Sequence, residues 1–377
     1  MFCSLDLYHG VRCELRPFGE EHLDVKITLT IEGDVKLSDI KAIRLPGISP
    51  ELYPQDFIPQ DLTSNISCAN TTICDRLELV SKIPDENLSE TDLIIQVHRG
   101  IWGEIGGYQE NTIGAFTEAV NQGYYVLESD IMPYGITNWT NPSNTSTFAT
   151  PAGLSCLHDL ELDRPTNGSG YSFNKTRTQL EALNLKEPRS TQVGSEEILF
   201  FDELMTYAHN NDAIVVVDMK NLQAQVEGGT CLQLCEFQTQ GNMELSFLKN
   251  YKEAIEIVDG LGSDHFQNLA IKTYFTFPEL KTGLLNLGLS ETLFNKVLWA
   301  PIIAAGPQWV LGGGPNYDPR KIQKFIDDWM SHNANILYYE PNFFNDYDGK
   351  TSVLLAGNYD FINTSGNLDQ NASIMEY

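Results

Sequence analysis

The chain has 377 residues, of which 42% are hydrophobic and 20% are charged, enough for one barrel-sized domain and a smaller region. Its 51 acidic residues outnumber its 24 Lys and Arg, and the net charge of −27 argues against nucleic acid binding and against charge-driven docking on an anionic membrane. The longest apolar run, 297–305, contains a proline and is much shorter than the roughly 20 residues of a membrane span. We therefore expect no transmembrane segment, and any phosphate ligand would need a locally positive site.

The sequence has features of a secreted protein or of one in the lumen of the secretory pathway. Its Asn-X-Ser/Thr sequons are dense at 65–89 and 138–146, which are loop-like segments where glycans attach. The N-terminus lacks the basic start and apolar centre of a signal peptide, which favours a mature or truncated form of a secreted glycoprotein. The sequons begin at Asn65, Asn70, Asn87, Asn138, Asn144, Asn167, Asn174, Asn363 and Asn371.

The seven cysteines fit the same oxidising compartment. Three pairs are close enough in sequence for local disulfides, which leaves Cys156 as a buried thiol. The Cys231-x-x-x-Cys235 spacing lacks a second matched pair of ligands, so a structural zinc site is not expected there. The three pairs are Cys3 and Cys13, Cys68 and Cys74, and Cys231 and Cys235.

Residues 1–92 differ in pattern from the rest and are predicted to form a β-rich accessory region followed by a loop. Apolar and polar residues alternate over 23–31, which is the period of a strand, and Gly33 and Asp34 interrupt the pattern. The stretch from 46 to about 87 is rich in proline and contains sequons, so we expect a loop there.

From 93 to 377 strand-like and helix-like segments alternate, which predicts parallel strands joined by crossover helices. A (β/α) barrel and a doubly wound sheet both fit this alternation. Polar residues recur at the C-terminal ends of several strands, which favours an α/β fold of the TIM (β/α)8 type. Strands are predicted at 93–97, 124–131, 154–158, 213–219, 268–275, 296–304 and 335–339, and helices at 112–122, 201–210, 243–258, 278–287 and 319–332.

Carboxylates lie at the ends of two predicted strands. Glu128 and Asp130 are two residues apart, so both side chains point to one side of the sheet, where two acids repel unless a cation lies between them. Asp218 ends another strand and supplies a third oxygen ligand, while Lys220 is placed as a point charge for a phosphate oxygen. All-oxygen ligation predicts one divalent cation, Mg²⁺ or Ca²⁺.

Two histidines accompany these carboxylates. His98 closes the first strand of the alternating region and His158 closes the strand-like run at 154–158. Imidazoles at these positions can act as a general base and a general acid near neutral pH, and the sequence leaves open which does which. The remaining histidines lack a strand-end partner and are expected to be ordinary surface or half-buried side chains. They are His9, His22, His209, His265 and His332.

Four polar motifs follow one another between residues 93 and 220. They are His98-Arg99-Gly100, Glu110-Asn111-Thr112, Glu128-x-Asp130 and His158-Asp159-Leu160-Glu161-Leu162-Asp163-Arg164-Pro165-Thr166-Asn167-Gly168. In this order they resemble the glycerophosphodiester phosphodiesterase family. The resemblance implies a TIM barrel that uses a divalent cation to cleave glycerophosphodiesters to glycerol 3-phosphate and an alcohol. The resemblance also implies that His98 and His158 are the acid–base pair and that Arg99 contacts the phosphate. It implies Glu128 and Asp130 as ligands of the cation.

Three features depart from the pattern of that family. Asp218 stands where the family has glutamate, and this version looks more like the related sphingomyelinase D/phospholipase D enzymes of venoms and fungi. The segment 132–154 is longer than the usual link and is expected to form a loop at the mouth of the site. The closing strand motifs of the family are not found after residue 340, which predicts a barrel that is incomplete at its C-terminal end or closed in an unusual way.

The sequence thus predicts a phosphoric diester hydrolase that acts on a small-molecule or lysolipid phosphodiester. An alternative with the same residues is a sphingomyelinase D- or lysophospholipase D-like enzyme, in which a substrate hydroxyl attacks phosphorus and a cyclic phosphate forms. A third hypothesis, from a different class, is a non-catalytic secreted barrel glycoprotein. The missing closing motifs favour it, and the intact acids and histidines oppose it.

Overall fold

The structure is a computed structural model that describes residues 94–103, 107–186, 192–227 and 229–305. Shorter described stretches are 2–6, 10–15, 25–29, 72–76, 325, 328–329, 331–332, 334–337, 340–343 and 361–365. From residue 94 onward strands and helices alternate along the chain, as the sequence predicts.

The N-terminal region contains a three-stranded antiparallel sheet with its strands in chain order. They are β1 (Phe2–Asp6), β2 (Gly10–Leu15) and β3 (Val25–Leu29). β3 falls within the predicted alternating run, and the register of β1 and β2 places Cys3 opposite Cys13. The predicted loop at 46–87 lies outside the described residues except for 72–76, which are helical.

The strands of the alternating region are β4 (Ile94–His98), β5 (Val126–Tyr134), β6 (Gly153–Ser155), β7 (Asn184–Lys186), β8 (Val193–Glu197), β9 (Ile214–Met219), β10 (Gln225–Glu227), β11 (Thr230–Gln233), β12 (Leu269–Thr273), β13 (Leu298–Ala305), β14 (Glu340–Phe343) and β15 (Phe361–Ser365). The helices are α1 (Ile113–Asn121), α2 (Arg177–Glu181), α3 (Phe201–Asn210), α4 (Gln240–Leu261), α5 (Phe277–Asn286) and α6 (Glu291–Phe294). None of these described helices combines the length and the apolar character needed to cross a bilayer.

A curled parallel sheet forms the centre of the fold, with the strand order β14-β13-β12-β9-β5-β4-β15. Successive strands are therefore neighbours from β4 to β14, and β15 pairs in parallel with β4. A doubly wound sheet reverses its order at a switch point, whereas a barrel adds each new strand on the same side. This order makes the fold an α/β fold of the (β/α)-barrel type, as predicted, and β15 beside β4 is the neighbour relation that barrel closure requires.

The C-terminal strands lie where the sequence has no recognisable closing motif of the family. β14 and β15 extend the parallel sheet at its two edges, and no pairing between these two strands is present among the described residues. The predicted strand at 335–339 contributes an isolated bridge between Ile336 and Trp299, and the paired strand begins at Glu340. Parallel pairing uses backbone groups, which every residue type carries, so polar strands such as β15 escape a search for apolar runs.

The predicted strand at 154–158 is also different in the structure. It is the shorter β6, which pairs antiparallel with the far end of β5 and lies off the path of the parallel strands. His158 therefore follows a hairpin-like extension of β5 and does not end a barrel strand. Two further antiparallel pairs, β7 with β8 and β10 with β11, were not predicted.

Alternation along the parallel strands separates two faces of the sheet. On the helix-facing side, Val97, Leu127, Val217 and Ile271 belong to one hydrophobic cluster that includes Phe116 of α1. Full burial of each such side chain contributes about 1.5–3 kcal/mol. The intervening residues of the same strands face the barrel interior, and the site lies on that face.

The long segment 132–154 is packed against the fold. Lys249 of α4 donates hydrogen bonds to the Ser146 carbonyl oxygen (2.9 Å) and to Thr150 Oγ1 (2.6 Å). Phe148 of the same segment stacks on Phe237, with 5.1 Å between the ring centroids. The inserted residues thus form a small hydrophobic layer of their own on the helix α4 side.

Cysteine pairing agrees with the prediction where the structure describes it. Cys231 and Cys235 form a disulfide, and Cys156 is free and buried. Cys74 is disulfide-bonded as well, while its predicted partner at position 68 lies outside the described residues.

Candidate active site

Predicted site residues lie on adjacent strands and face the barrel interior. His98 is the register partner of Glu128, and Asp130 is the register partner of Asp218. Because each alternates with an outward apolar residue, register brings their side chains to one region, at the C-terminal ends of β4 and β9 and near the end of the parallel-paired part of β5. This is the end of a barrel at which catalytic residues gather.

The chain leaves β4 through a tight turn. Arg99 and Gly100 both have positive φ angles, of 62° and 78°, and the Arg99 N–H donates to the Glu128 carbonyl oxygen at 2.9 Å. A Cβ added at Gly100 would lie 2.7 Å from Cβ and carbonyl carbon atoms of Ala115 in α1, so only glycine fits. The turn fixes the direction in which the Arg99 side chain leaves the sheet.

Asn111 joins the start of α1 to β5. Its φ of 59° is in the left-handed region, and its Oδ1 accepts hydrogen bonds from Asp130 N–H and Ser129 Oγ, both at 3.1 Å. Its Nδ2 donates to Asp130 Oδ2 at 3.1 Å. Thr112 caps the helix by accepting from Ala115 N–H. Asn111 thus holds the Asp130 carboxylate in a fixed orientation.

Three carboxylates, which we call the carboxylate cluster, face one another in the barrel interior. Glu128, Asp130 and Asp218 each place an oxygen within 4.8 Å of the other two, and Glu128 and Asp130 are fully buried. Lys220 Nζ lies 2.8 Å from Asp130 Oδ1 and 2.8 Å from Asp218 Oδ2. One ammonium therefore bridges two like charges on adjacent strands, which would otherwise repel each other.

Lys272 is a second cation beside the carboxylate cluster, and its role was not predicted from the sequence. It lies on β12, is 3% exposed, and its Nζ is 3.2 Å from Glu128 Oε1. A buried ammonium requires a compensating charge, and Glu128 supplies it. The sequence does contain one sign of this role, because Lys272 is the single charged residue in the strand-like run at 268–275.

A row of ion pairs extends from the cluster toward the surface. Arg99 Nε lies 2.7 Å from Asp130 Oδ2, and its Nη1 lies 2.8 Å from Glu110 Oε2. The other Glu110 oxygen accepts from Arg164 Nη2 at 2.6 Å. Arg99 thus donates a hydrogen bond to Glu110 and forms an ion pair with Asp130, and its planar guanidinium is a group that also binds phosphate oxygens.

The two predicted acid–base histidines lie at different depths beside the cluster. His98 Nε2 is 3.7 Å from Glu128 Oε2. His158 is more exposed, and its Nδ1 lies 2.7 Å from Asp159 Oδ1, while Asp159 also pairs with Arg164. With a proton on Nδ1 donated to Asp159, the Nε2 atom of His158 is left for other partners. Both imidazoles act electrostatically on Asp130, so they share one neighbourhood.

Burial and neighbouring charges set the protonation of the cluster. Burial and the Arg99 charge lower the pKa of His98 to about 3, although a quarter of its side chain remains exposed. Burial raises the pKa of Glu128 despite the nearby Lys272. Burial would also raise the pKa of Asp130, but Lys220 and Arg99 outweigh it and hold that pKa well below its usual range. At neutral pH, His98 is neutral and Asp130 is ionised.

Two buried oxygens of the cluster, Glu128 Oε2 and Asp130 Oδ1, accept no hydrogen bond from any residue that the structure describes. Asp130 Oδ1 has the Lys220 ammonium 2.8 Å away, whereas Glu128 Oε2 faces His98 Nε2 at 3.7 Å. A buried carboxylate oxygen without a donor costs free energy, and a cation bound there would remove that cost. Oxygen donors from three strands suit a hard divalent cation, so these residues fit the cation that the sequence predicts.

A cavity of about 610 Å³ is present among the inserted loops, lined by Trp139, Tyr171 and residues 232–236. None of the predicted site residues lines it. The predicted site residues therefore lie on the interior face of the strands and outside this cavity.

The structure brings every predicted site residue to this region. Further residues there were quoted as motif members without a role, and Lys272 was missed entirely. The motif members are Glu110, which joins two arginines, Asn111, which orients Asp130, and the pair Asp159 and Arg164 beside His158. The predicted phosphate contacts Arg99 and Lys220 are both engaged by carboxylates.

No protein-family model and no curated protein sequence matches this chain. Among solved structures it is similar to a glycerophosphoryl diester phosphodiesterase from Parabacteroides distasonis, at 16% identity over 70% of this chain and 87% of that one, with a TM-score of 0.29. A glycerophosphodiester phosphodiesterase from Thermotoga maritima is 16% identical over 64% of this chain and 71% of its own, with a TM-score of 0.34. An Oleispira antarctica phosphodiesterase, solved with the product sn-glycerol-3-phosphate, is 14% identical over 66% and 94%, with a TM-score of 0.28.

Proposed function

We propose that this chain is a divalent-cation-dependent phosphodiester hydrolase that cleaves glycerophosphodiesters to glycerol 3-phosphate and an alcohol. The observation that carries the proposal is the buried carboxylate cluster, in which Glu128 Oε2 accepts no hydrogen bond from the described residues. Two histidines lie beside this cluster, and both lower the pKa of Asp130 electrostatically. Hydrolysis of a phosphodiester needs charge neutralisation at phosphorus and two proton transfers, and these groups provide both. The substrate is a small-molecule or lysolipid phosphodiester.

The carboxylate cluster would hold one Mg²⁺ or Ca²⁺. When bound, the cation would draw negative charge from a phosphoryl oxygen and help to orient the phosphate. Asp218 is one methylene shorter than the glutamate of the family that the motifs resemble, and it still contributes a carboxylate at 4.8 Å or less from the other two. Without a metal ion, the Lys220 ammonium forms ion pairs with two of these acids, Asp130 and Asp218, and reduces their mutual repulsion.

The charge of the site supports an anionic substrate once a cation is present. Apart from the two histidines, five acidic side chains face four cationic ones, so these nine side chains carry a net charge of −1 when all are ionised. A divalent cation would change it to +1, which a phosphodiester monoanion would neutralise. The acids are Glu110, Glu128, Asp130, Asp159 and Asp218, and the cations are Arg99, Arg164, Lys220 and Lys272.

We assign the general base to His98 and the general acid to His158. His158 has a carboxylate partner at Nδ1, which stabilises an imidazolium and suits a group that donates a proton. His98 would take a proton from water as the water oxygen bonds to phosphorus. The bond from phosphorus to the leaving alcohol breaks, and His158 would protonate the departing oxygen. Arg99 would contact a phosphoryl oxygen from its fixed position at the turn.

The sphingomyelinase D- or lysophospholipase D-like alternative uses the same residues. A hydroxyl of the substrate would replace water as the nucleophile, so the product would be a cyclic phosphate and the alcohol. The feature that favours it is Asp218 in place of glutamate. A non-catalytic barrel is the third outcome, and it predicts cation binding without turnover.

Product analysis distinguishes these outcomes. Phosphorus NMR would follow glycerophosphocholine and lysophosphatidylcholine with Mg²⁺, with Ca²⁺ and with EDTA, for wild type and His98→Ala. We expect cation-dependent formation of a phosphomonoester that the variant loses. A cyclic phosphate would favour the alternative, and turnover that survives both EDTA and His98→Ala would contradict the proposal. Stoichiometric cation binding without any turnover would favour the non-catalytic barrel.

We further propose that the chain passes through the secretory pathway. Its sequons at Asn144, Asn167 and Asn174 are on exposed residues, where a glycan is sterically tolerated. Glycosidase treatment of the protein from secreting cells should increase its gel mobility. An unchanged mobility, with the protein retained in the cytosol, would contradict this proposal.

A further inference from the structure

A second group of side chains that could bind a metal lies at the opposite end of the parallel strands. It consists of His209, Asp264 and His265, which we call the histidine cluster. His209 is in the last turn of α3, and the other two residues are in the 3-10 turn Ser263–Asn268 that leads into β12. α3 also leads into β9, so the cluster lies at the N-terminal ends of two barrel strands, away from the carboxylate cluster.

The donor atoms converge at distances that suit one small cation. Asp264 Oδ2 lies 3.6 Å from His209 Nε2, and Asp264 Oδ1 lies 3.2 Å from His265 Nδ1. One donor atom from each residue lies within 4.8 Å of the other two. Metal–ligand bonds of about 2.0–2.1 Å in a tetrahedron place ligand atoms about 3.3 Å apart. The two rings stack at 20° with 4.1 Å between their centroids, so one imidazole must rotate about its Cβ–Cγ bond to direct its lone pair at a shared ion.

A buried amide orients His209. Asn268 is fully buried, and its Nδ2 donates to the Ala213 carbonyl oxygen at 2.7 Å and also points to that of Ala208 at 3.4 Å. Its Oδ1 is therefore the atom that faces His209 Nδ1, at 3.3 Å. A proton on Nδ1 then leaves the lone pair of Nε2 directed toward Asp264, which is the usual arrangement of a metal-ligating histidine and its supporting acceptor.

A glycine keeps the space beside the donor atoms open. A Cβ added at Gly262 would lie 2.8 Å from Asp264 Oδ1 and 3.4 Å from His265 Nδ1. Gly262 also has a φ of 140°, which other residues rarely adopt. The side chain of His265 is 12% exposed and that of His209 is 27% exposed, so an ion from solvent can reach the cluster.

We infer that the histidine cluster is a binding site for a borderline transition-metal cation such as Zn²⁺. Two imidazole nitrogens and one carboxylate select such a cation over Mg²⁺ or Ca²⁺, which prefer oxygen. Bound there, the cation would join the end of α3 to the turn before β12, and a water molecule would complete four-coordination. The inference does not depend on the proposed hydrolase function.

The test measures Zn²⁺ binding by calorimetry on metal-stripped protein in excess Mg²⁺, in the background of Glu128→Gln and Asp218→Asn, which disable the carboxylate cluster. We expect one Zn²⁺ per chain, and an affinity that falls about 100-fold or more on adding His209→Ala. His265→Gln provides a second variant with better conserved volume. His332→Ala, at an exposed histidine outside the cluster, serves as the matched control.

Each result of this test decides the inference. No Zn²⁺ binding, unchanged binding in both cluster variants, or an equal loss in His332→Ala would overturn it. Circular dichroism identifies any variant that fails to fold, and Co²⁺ bound to the folded protein should show the visible absorption of nitrogen ligation, lost in His265→Gln. Because turnover is not the readout, a negative result here leaves the proposed hydrolase untouched, and the reverse also holds.

Discussion

The carboxylate cluster and the histidine cluster lie at opposite ends of the same parallel strands, and they differ in burial, in ligand type and in how their charges are compensated. The carboxylate cluster is buried, consists of oxygens, and is partly neutralised by Lys220 and Lys272. The histidine cluster is partly exposed and contains two nitrogens with one carboxylate. The C-terminal ends of barrel strands carry catalysis and the N-terminal ends carry stability. The comparison therefore predicts effects on turnover at one end and effects on local structure at the other.

The largest expected effect is on turnover at the carboxylate end. His98→Ala removes the proposed base, and we expect the catalytic rate to fall about 10²- to 10⁴-fold because general base catalysis is lost. Initial rates with a glycerophosphodiester would measure it. His332→Ala is the control and should retain the wild-type rate. Equal rates for the two variants would contradict the assignment of His98 as the general base.

The next effect concerns stability and tests the buried pair of Lys272 and Glu128. Lys272→Met leaves the Glu128 carboxylate buried without its cation, and we expect a loss of about 3–5 kcal/mol in the free energy of unfolding without metal. Urea unfolding with EDTA would measure it. Adding Glu128→Gln to Lys272→Met should recover part of the loss. A single variant as stable as wild type would show that the pair does not compensate charge.

A smaller effect is expected on cation affinity. Asp218→Asn removes a charged oxygen ligand while keeping the size of the side chain, so we expect the Mg²⁺ concentration for half-maximal turnover to rise about tenfold or more. Asp259→Asn, at an exposed acid on α4, is the control. An identical Mg²⁺ dependence in both variants would exclude Asp218 from the ligand set.

The smallest expected effect tests the role of Gly262 beside the histidine cluster. Gly262→Ala forces a Cβ against Asp264 Oδ1 at a φ of 140°, and we expect a loss of about 1 kcal/mol or more in stability, weaker Zn²⁺ binding and unchanged turnover. Gly260→Ala is the matched control, because a Cβ there meets nothing within 4 Å and alanine favours a helix interior by about 0.5–1 kcal/mol. A gain in stability in both variants would contradict the argument from Gly262.

The tertiary structure changed the interpretation of particular histidines. His209 and His265 were expected to be ordinary surface or half-buried side chains without a strand-end partner. Both are half-buried, but their rings stack with 4.1 Å between centroids, and both approach Asp264. The two residues belong to different elements that meet only when α3 and the turn before β12 pack together, so their spacing in sequence contains no sign of the contact.

Much of the barrel follows from the sequence because its evidence is local. A period of two or 3.6 residues identifies strands and helices, and α3 was predicted with its observed bounds. Glu128 and Asp130 share a face because they are two apart, which is also a local fact. Only the tertiary structure decided which strands are neighbours. It therefore also decided the contact between Lys272 and Glu128, which are 144 residues apart, and the pairing of β15 with β4. Such contacts depend on register and on backbone hydrogen bonds, which no short-range pattern of side chains encodes.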